Sequence, residues 1–268
     1  MSHLRNKIIP EGNVRHMHAK IGGQGGLTHD LWTPSGEATL SWWFDAKDYD
    51  SLTLVSSKVS QWDDLSGNAN HVTQATDADR PTYSPNGWTD GLPCLDWGAS
   101  SNQKFLGLSR GANTDDFQDT YMVLAWDGGG ASWPSQNGTI SGYDGTGTFS
   151  GAGLQGHYLT TNWYAGGWPG NVRHNGDTST KTGVFPGTVA GPLVLQFDAV
   201  SAVATACNGI RIGTDRANAG RGWRGRIAEV IILDTIASTA LRQKIEGYLA
   251  HKWRIQLVSG HPYRDSPP

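Results

Sequence analysis

The chain has 268 residues, of which 36 are glycine, 12 are tryptophan and only 17% are charged, a composition typical of short strands and turns and not of long helices. Its net charge of -3, with no block of lysine or arginine, argues against nucleic-acid binding, which needs basic side chains to neutralise phosphates. No segment approaches the roughly 18 apolar residues of a membrane span, and the polar N-terminus lacks the apolar core of a secretory signal, so we expect synthesis in a cytoplasm and no membrane insertion.

Residues 1–36 show neither helical nor strand periodicity and contain Pro10, Pro34 and the glycine-rich run 21–27. This composition predicts an extended N-terminal arm, followed by one domain over residues 37–268. Basic, imidazole and large apolar side chains are the candidates for docking the arm on a partner protein: Arg5, Ile8, Ile9, Arg15, His16, His18, Leu27 and Trp32. The alternating His16 and His18 could instead share a metal ion.

From residue 39 onward, strand-like runs alternate with turn signals. The predicted strands are residues 39–45, 59–62, 93–97, 120–126, 157–161, 192–199, 202–212 and 224–234. Residues 127–190 are rich in Gly, Ser, Thr, Asn and Trp, which predicts long loops with short strands between them. Because strands follow one another without interleaved helices, we expect antiparallel sheets and no βαβ units.

One amphipathic helix is predicted over residues 238–253, where Ser238 is the candidate N-cap. Its apolar stripe recurs at three- and four-residue steps, through Leu241, Ile245, Tyr248, Leu249 and Trp253. We expect this stripe to pack on the core. Gly247 lies inside the helix, where glycine costs about 1 kcal/mol relative to alanine, and so indicates close packing against the sheet or a neighbour.

The two cysteines, Cys94 and Cys207, both lie in apolar, strand-like runs. We expect buried, reduced thiols, because free cysteine is among the most buried residue types; a disulfide is the alternative. No CxxC pair or spaced Cys/His set indicates zinc.

Two segments resemble a known family. The first comprises Leu40-Ser-Trp-Trp-Phe-Asp-Ala46, Val59-Ser-Gln-Trp-Asp-Asp-Leu-Ser-Gly-Asn-Ala-Asn-His71 and Arg80-Pro-Thr-Tyr83. The second comprises Gly225-Arg-Ile-Ala-Glu-Val-Ile-Ile-Leu-Asp234, Gln243-Lys-Ile-Glu-Gly-Tyr-Leu-Ala-His-Lys-Trp253 and His261-Pro-Tyr263. Together they resemble the concanavalin A-like, laminin G-like jelly-roll domains of phage tail, fibre and decoration proteins and of some bacterial surface proteins.

The resemblance spans about residues 38–265 and implies an all-β fold, a two-sheet antiparallel jelly-roll sandwich with one C-terminal helix. It implies a role in adhesion or display far more than an enzymatic role. The chain departs from the family in two places. Arg254 follows the Lys-Trp pair, where the family often has glycine, and Ala69 follows the Asp-x-Ser-Gly-Asn run, which usually continues with glycine.

Enzymatic activity is not expected. Glycosidases on this general fold resemble one another in a Glu-x-Asp-x-x-Glu strand, which the chain lacks. Glu229 and Asp234 are five residues apart and so on opposite faces of a regular strand, and Glu229 is predicted to make a structural hydrogen bond. No nucleophile elbow, zinc-protease pair or phosphate-binding loop is present.

Calcium is the one cofactor that the sequence suggests. Asp63, Asp64, Asn68 and Asn70 gather oxygen donors in one tight turn, as calcium prefers, and related sandwich domains often hold calcium at a loop edge. The alternative is an ordinary turn, in which Asp and Asn side chains bond their own backbone.

A carbohydrate site would combine exposed aromatic rings, which stack on the C–H faces of sugars, with hydrogen-bonding side chains. The candidates in the glycine-rich region are Trp133, Trp163, Tyr164, Trp168 and Asn171. The alternative is that these aromatic residues fill the core of a sandwich.

From the resemblance we expect a structural protein of a bacteriophage-type virion, of the capsid-decoration, head-fibre or tail-attachment kind. It would be made in the bacterial host and displayed on the virion surface. Its partners would be other virion proteins, bound through the arm, and a homo-oligomer is left open. The alternative is a receptor-recognition module that binds a host surface glycan.

Overall fold

The computed structural model describes residues 32–98, 104–110, 115–126, 137–142, 154–158, 162–166, 170–177, 191–199, 206–207, 209–214 and 222–268. The chain divides into two compact units, Met1–Asp30 and Leu31–Pro268, and every described residue belongs to the second. Four short 3₁₀ turns lie at Pro34–Gly36, Tyr49–Ser51, Asp77–Asp79 and Thr89–Gly91.

The described residues form seventeen β-strands and one α-helix. The first nine strands are β1 (Leu40–Asp45), β2 (Leu52–Val55), β3 (Lys58–Trp62), β4 (Val72–Thr73), β5 (Thr82–Ser84), β6 (Cys94–Asp96), β7 (Leu106–Ser109), β8 (Asp115–Asp116) and β9 (Asp119–Trp126). The others are β10 (Asn137–Gly142), β11 (Leu154–Tyr158), β12 (Asn162–Gly166), β13 (Gly170–His174), β14 (Leu193–Ala199), β15 (Ala206–Cys207), β16 (Gly209–Ile212) and β17 (Gly225–Leu233). Helix α1 spans Thr239–Trp253.

Pairing between these strands is antiparallel and mostly joins strands that are distant in sequence. The main order is β12-β11-β10-β16-β7-β4-β3-β5-β6-β17-β9-β14-β13, with β1 also paired to β17 and β2 to β3. Strands β8 and β15 form a separate two-stranded ribbon. The structure thus confirms a fold of mostly antiparallel sheet with one C-terminal helix.

Strands β9 and β17 form the centre of the core. Seven of the eight residues of β9 and eight of the nine of β17 are buried, so both faces of each strand are covered. Such strands read as continuous apolar runs, which is why the sequence predicts them almost to the residue. The richness in tryptophan is largely a property of this core, because five tryptophans are completely buried: Trp42, Trp62, Trp97, Trp223 and Trp253.

The prediction of a single strand over residues 202–212 is wrong. Within that range the structure has β15 and β16, and these belong to different sheets, since β15 pairs with β8 while β16 pairs with β7 and β10. The physical reason lies at Gly209, which takes a φ of 127° that L-amino acids avoid. The glycine-rich region contains short strands, as its composition predicts, at β10, β11, β12 and β13. The strand predicted over residues 157–161 overlaps β11 at His157 and Tyr158, and residues 159–161 lie outside the described residues.

Helix α1 confirms the predicted helix and its cap. The Ser238 hydroxyl accepts a hydrogen bond from the Leu241 amide at 3.2 Å and so satisfies one of the free N–H groups of the first turn. The predicted stripe faces the core, with Ile245, Leu249 and Trp253 fully buried. Within the described residues, no helix has both the length and the apolar character needed to cross a bilayer.

Two non-glycine residues that the sequence analysis singled out, Ala69 and Arg254, share one backbone feature. Ala69 and Arg254 both have a φ of 56°, in the left-handed region. Glycine is favoured there because it has no Cβ to crowd the following carbonyl. Arg254 ends helix α1 in this conformation, and its amide donates to the Ala250 carbonyl.

The C-terminal tail, residues 254–268, packs back along helix α1. His251 Nε2 donates to the Tyr263 carbonyl at 2.8 Å, and the Val258 amide donates to the Asn175 carbonyl at 3.0 Å. Gly247 is the point of closest approach, since a Cβ there would lie 2.5 Å from the Tyr263 Cβ. The close packing that Gly247 indicates is therefore packing against the tail.

We predict that Gly247→Ala destabilises the protein by about 1–3 kcal/mol, although alanine is the better helix former, because the new methyl group forces the tail away from the helix. Urea unfolding measures the effect. Gly36→Ala is the matched control, since its Cβ would meet nothing within 4 Å, and should change the free energy of unfolding by less than about 0.5 kcal/mol. A stabilised Gly247→Ala variant would contradict the tail packing.

Candidate functional site

A charged side chain lies at the centre of the core, in the middle of β17. Glu229 is completely buried, and its carboxylate accepts hydrogen bonds from two other elements, β1 and α1. Oε1 accepts from Trp43 Nε1 at 2.8 Å and from the Tyr248 hydroxyl at 3.0 Å. Oε2 accepts from Trp253 Nε1 at 2.5 Å and contacts Lys252 Nζ at 2.7 Å. Glu229 thus makes the structural hydrogen bonds that the sequence predicts, and it joins β1, β17 and α1.

Lys252 supplies the positive charge of this buried ionic cluster. Its Nζ lies 2.7 Å from the Glu229 carboxylate, 2.5 Å from Asp45 Oδ2 and 2.7 Å from the Tyr248 hydroxyl. These three contacts use all three ammonium protons. Two carboxylates therefore share one ammonium, with two indole N–H groups and a phenol completing the hydrogen bonds.

Burial and charge act in opposite directions on these groups. Burial raises the pKa of Glu229, the Lys252 ammonium opposes this rise, and Asp45 adds to it. Burial alone would lower the pKa of Lys252, but Glu229 and Asp45 together raise it above its ordinary value. The pKa of Tyr248 is also raised, mainly by burial and then by the two carboxylates, so its hydroxyl keeps its proton. The Lys252 ammonium therefore offsets part of the cost of burying two carboxyl groups.

A cavity of about 650 Å³ lies beside the cluster and shares Tyr248 and Lys252 with it. Trp32, Lys47 and Arg254 also line this cavity, as do residues of the C-terminal tail. Trp32 meets Tyr248 edge to face, with their ring centroids 6.0 Å apart. The buried cluster therefore holds one wall of a surface cavity whose other walls are aromatic, proline and cationic side chains.

A second carboxylate cluster lies on β9 and β14. Asp119 is 1% exposed, and it accepts hydrogen bonds from Gln196 Nε2 at 2.8 Å, from the Tyr121 hydroxyl at 2.9 Å and from the Ala237 amide at 3.1 Å. Burial raises its pKa to about 7, with a smaller contribution from Asp198.

Asp198 faces Asp119 across the β9–β14 pairing and is held by an ion pair with Arg173. It also accepts hydrogen bonds from the backbone amide and the side-chain amide of Asn171, both at 3.0 Å. Neither carboxylate belongs to the lining of the 650 Å³ cavity. Both are held by hydrogen bonds within the protein, as structural carboxylates are.

The predicted calcium turn is tied together by its own hydrogen bonds. Asp64 Oδ1 accepts from the Trp43 and Ser66 amides, both at 2.9 Å, and Oδ2 accepts from the Ser66 hydroxyl at 2.7 Å and the Asn70 amide at 2.9 Å. The Asn68 and Asn70 side-chain amides both donate to the Ser41 carbonyl.

The other predicted calcium ligand, Asp63, lies 3.2 Å from His71 Nδ1 and accepts from Gln61. A cation in the turn would have to displace bonds that Asp64 already accepts. These hydrogen bonds are those expected of the structural turn, the alternative to a calcium site, and calcium at this turn stays a prediction. Among the described residues there is no group of three or more His, Cys, Asp or Glu side chains that could hold a metal.

Most of the predicted docking and glycan residues lie outside the described residues. These are Arg5, Ile8, Ile9, Arg15, His16, His18, Leu27, Trp133 and Trp168. The backbone of Trp163 and Tyr164 lies in β12, opposite His157 and Gly156 of β11. Asn171 lies in β13, where it is bonded to Asp198. Trp32 is half-buried and lines the cavity.

Cys94 is a buried thiol in β6, as expected. The backbone of Cys207 lies in β15.

Sequence reasoning identified Glu229 but not its partners, nor the Asp119 cluster. A signal was present in each case, because a charged residue within an apolar run must be paired if the run is buried. Asp45 directly follows the apolar run Trp42-Trp-Phe44, Lys252 directly precedes Trp253 in the helix, and Asp119 is the first residue of the apolar strand β9. The sequence does not show which residue the partner of each charge is, because that partner lies as far as 207 residues away in the chain.

Comparison with known proteins adds no relative. No protein-family model matches the chain, and neither the curated proteins nor the solved structures give a match.

We predict that Lys252→Met destabilises the protein by about 3–5 kcal/mol, because Asp45 and Glu229 are left buried without a counter-charge. In the double variant Glu229→Gln/Lys252→Met, the loss should be smaller than the sum of the two single losses. Urea unfolding of all four proteins in the cycle measures the coupling. Lys58→Met is the control, since the Lys58–Asp77 pair is exposed and should contribute less than about 1 kcal/mol. Additive losses would show that the ion pair is not energetically coupled.

We predict a pH-dependent contribution from Asp119. A carboxyl group whose pKa rises from 3.8 to about 7 on folding stabilises the protein at low pH, and this contribution is lost as the pH rises through 7. The free energy of unfolding of the wild type, relative to Asp119→Asn, should fall by about 2–3 kcal/mol between pH 5 and pH 8. Urea titrations at both pH values test this. Asp77→Asn, at an exposed carboxylate, is the control: the free energy of unfolding of the wild type relative to this variant should show no such fall. If the free energies of the wild type and of Asp119→Asn changed in parallel with pH, the prediction would be contradicted.

Proposed function

We propose that this protein is a non-enzymatic structural component of a bacteriophage-type particle, of the capsid-decoration, head-fibre or tail-attachment kind. Residues 1–36 attach it to other virion proteins, and the β-rich unit is displayed on the virion surface. The protein is made in the cytoplasm of the bacterial host and reaches its place by assembly. Repetition of one arm contact over a symmetric particle turns a modest affinity into stable attachment.

One observation carries the proposal: both ends of the described unit meet at the same place. Trp32 and Thr33, which follow the arm, line the same cavity as Pro267 and Pro268. The Trp32 ring packs edge-on against Tyr248 of helix α1, so the described part of the chain begins at a position in contact with this helix. Strand β12, by contrast, ends the strand order far from β17. An anchor at one position and, elsewhere, a strand that ends the strand order of the described residues suit a displayed domain.

We also propose that the finer architecture is a laminin G-like jelly-roll sandwich. Two features support it. Neighbouring strands in the sheet are often distant in sequence, as in β6-β17-β9 and β10-β16-β7. Strands β9 and β17 are buried on both faces, although helix α1 accounts for only part of that burial. A second layer of sheet is the usual cover for such strands.

The absence of enzymatic function is part of the proposal. Hydrolysis of a glycosidic bond needs two carboxyl groups that both reach the substrate. Two pairs of carboxylates that lie close together among the described residues are Glu229 with Asp45 and Asp119 with Asp198, and all four are buried and hydrogen-bonded. This arrangement supports structural roles for all of them.

We predict that the arm is necessary for attachment. Particles assembled without this protein would be mixed with the full-length chain or with a version lacking residues 1–30, and then sedimented. The truncation keeps Trp32 and its contact with Tyr248, so the described unit should unfold at an unchanged temperature. We expect the full-length chain alone to sediment with the particles.

The control separates attachment from glycan binding. A full-length variant with Trp163→Ala and Trp168→Ala should still sediment with particles, whereas it would lose adsorption to host cells if the alternative function, recognition of a host glycan, were correct. Equal sedimentation of the truncated and full-length chains would reject the arm as the anchor.

A further inference from the structure

We propose that the 650 Å³ cavity beside helix α1 binds a carboxylated sugar, such as the uronic acid unit of an acidic glycan. The inference uses residues of the second unit only and does not depend on attachment to a particle.

The side chains that line the cavity include three cations and no carboxylate. Lys47, Lys252 and Arg254 line it, and neither aspartate nor glutamate does. The charge of Lys252 is balanced from inside the protein by Asp45 and Glu229. Lys47 and Arg254 are therefore the cations that can meet a ligand.

Both of these cations are available. Lys47 is exposed, and its ammonium makes no hydrogen bond or ion pair with the other residues that the structure describes. Arg254 lies 3.6 Å from Asp90, but the side chains are 58% and 54% exposed, so this pair is weak and a ligand can replace it. A carboxylate between the two side chains would receive charge-assisted hydrogen bonds.

The backbone at Arg254 is a second, independent observation. With a φ of 56° and a ψ of 42°, it occupies the left-handed position at the end of helix α1, which glycine fills at no steric cost. An arginine there makes the helix end less stable than glycine would. Residues held in such conformations cluster at binding sites, and here the side chain that results lines the cavity.

The remaining walls suit a ring and not a bare anion. Trp32 and Tyr248 present aromatic surface, and Pro267 and Pro268 add apolar surface. Tyr248 is only 8% exposed and Lys252 Nζ lies 5.0 Å from the centroid of its ring, so the half-buried Trp32 supplies most of the aromatic surface that a ligand can reach. Sugar C–H faces stack on such rings while a carboxylate meets the cations. The volume lies within the range of pockets that enclose organic ligands and has room for a short oligosaccharide.

The test is calorimetric titration of the full chain with three acidic probes: trigalacturonic acid, a trimer of β-1,4-linked glucuronic acid and sialyllactose. Cellotriose and lactose are the neutral counterparts, and acetate and tetra-aspartate test whether charge alone suffices. We expect at least one acidic sugar to bind, and the neutral sugars, acetate and tetra-aspartate not to bind. Binding of none of the acidic sugars, or equal binding of neutral ones, would overturn the proposal. Binding of tetra-aspartate alone would assign the cavity to an acidic peptide instead.

The variant Arg254→Gly separates a loss of binding from a loss of folding, because it should weaken binding while it stabilises the protein. We expect it to weaken binding of the acidic sugar at least about tenfold, because a charge-assisted contact is lost. The same variant should raise Tm by about 2 °C, because the left-handed position becomes unstrained. Lys47→Met should also weaken binding, and Lys58→Met, at an exposed lysine outside the cavity, should not. Unchanged binding in Arg254→Gly would assign the ligand to another surface and reject the proposal.

Discussion

The carboxylate of Glu229 lies in the core without contact with water, and the organisation around β17 follows from the need to neutralise it. A buried carboxylate without partners costs several kcal/mol, so β17 cannot be buried until the hydrogen-bond donors have arrived. Trp43 comes from β1, and Lys252 and Trp253 come from helix α1. Strand pairing and helix docking are thereby linked, because each is favourable only when the other has occurred.

The same helix end serves the interior and the surface. Tyr248 and Lys252 direct their polar atoms inward to Glu229 and also form part of the cavity wall. Two residues later, Arg254 turns the chain out of the helix in a left-handed conformation. The ion pair thus attaches the end of the helix to the core directly before the left-handed residue at the cavity, and the tail that follows packs against Gly247.

Rigidity is the property that unites the two proposals. A displayed domain gains from a fixed exit point for its arm, and Trp32 is fixed against Tyr248. A binding cavity gains from walls that do not rearrange when the ligand enters, because ordering them would reduce the affinity. The ion pair of Glu229 with Lys252 supports both, since it holds the helix on which the exit point and the cavity are built.

The sequence by itself determined the antiparallel β character, the position of helix α1 and its Ser238 cap, because these depend on local periodicity and capping. It also indicated close packing at Gly247 and a structural role for Glu229. It could not give the partners: Asp45 and Lys252 are 207 residues apart in the chain, and nothing local in either segment identifies the other. The tertiary structure alone decided that Asp119 meets Gln196, that residues 206–212 enter two sheets, and that Trp32 and Arg254 line one cavity. The physical reason is that the burial of a charge and the shape of a cavity are set by contacts between distant segments, whereas periodicity records only which face of each segment is apolar.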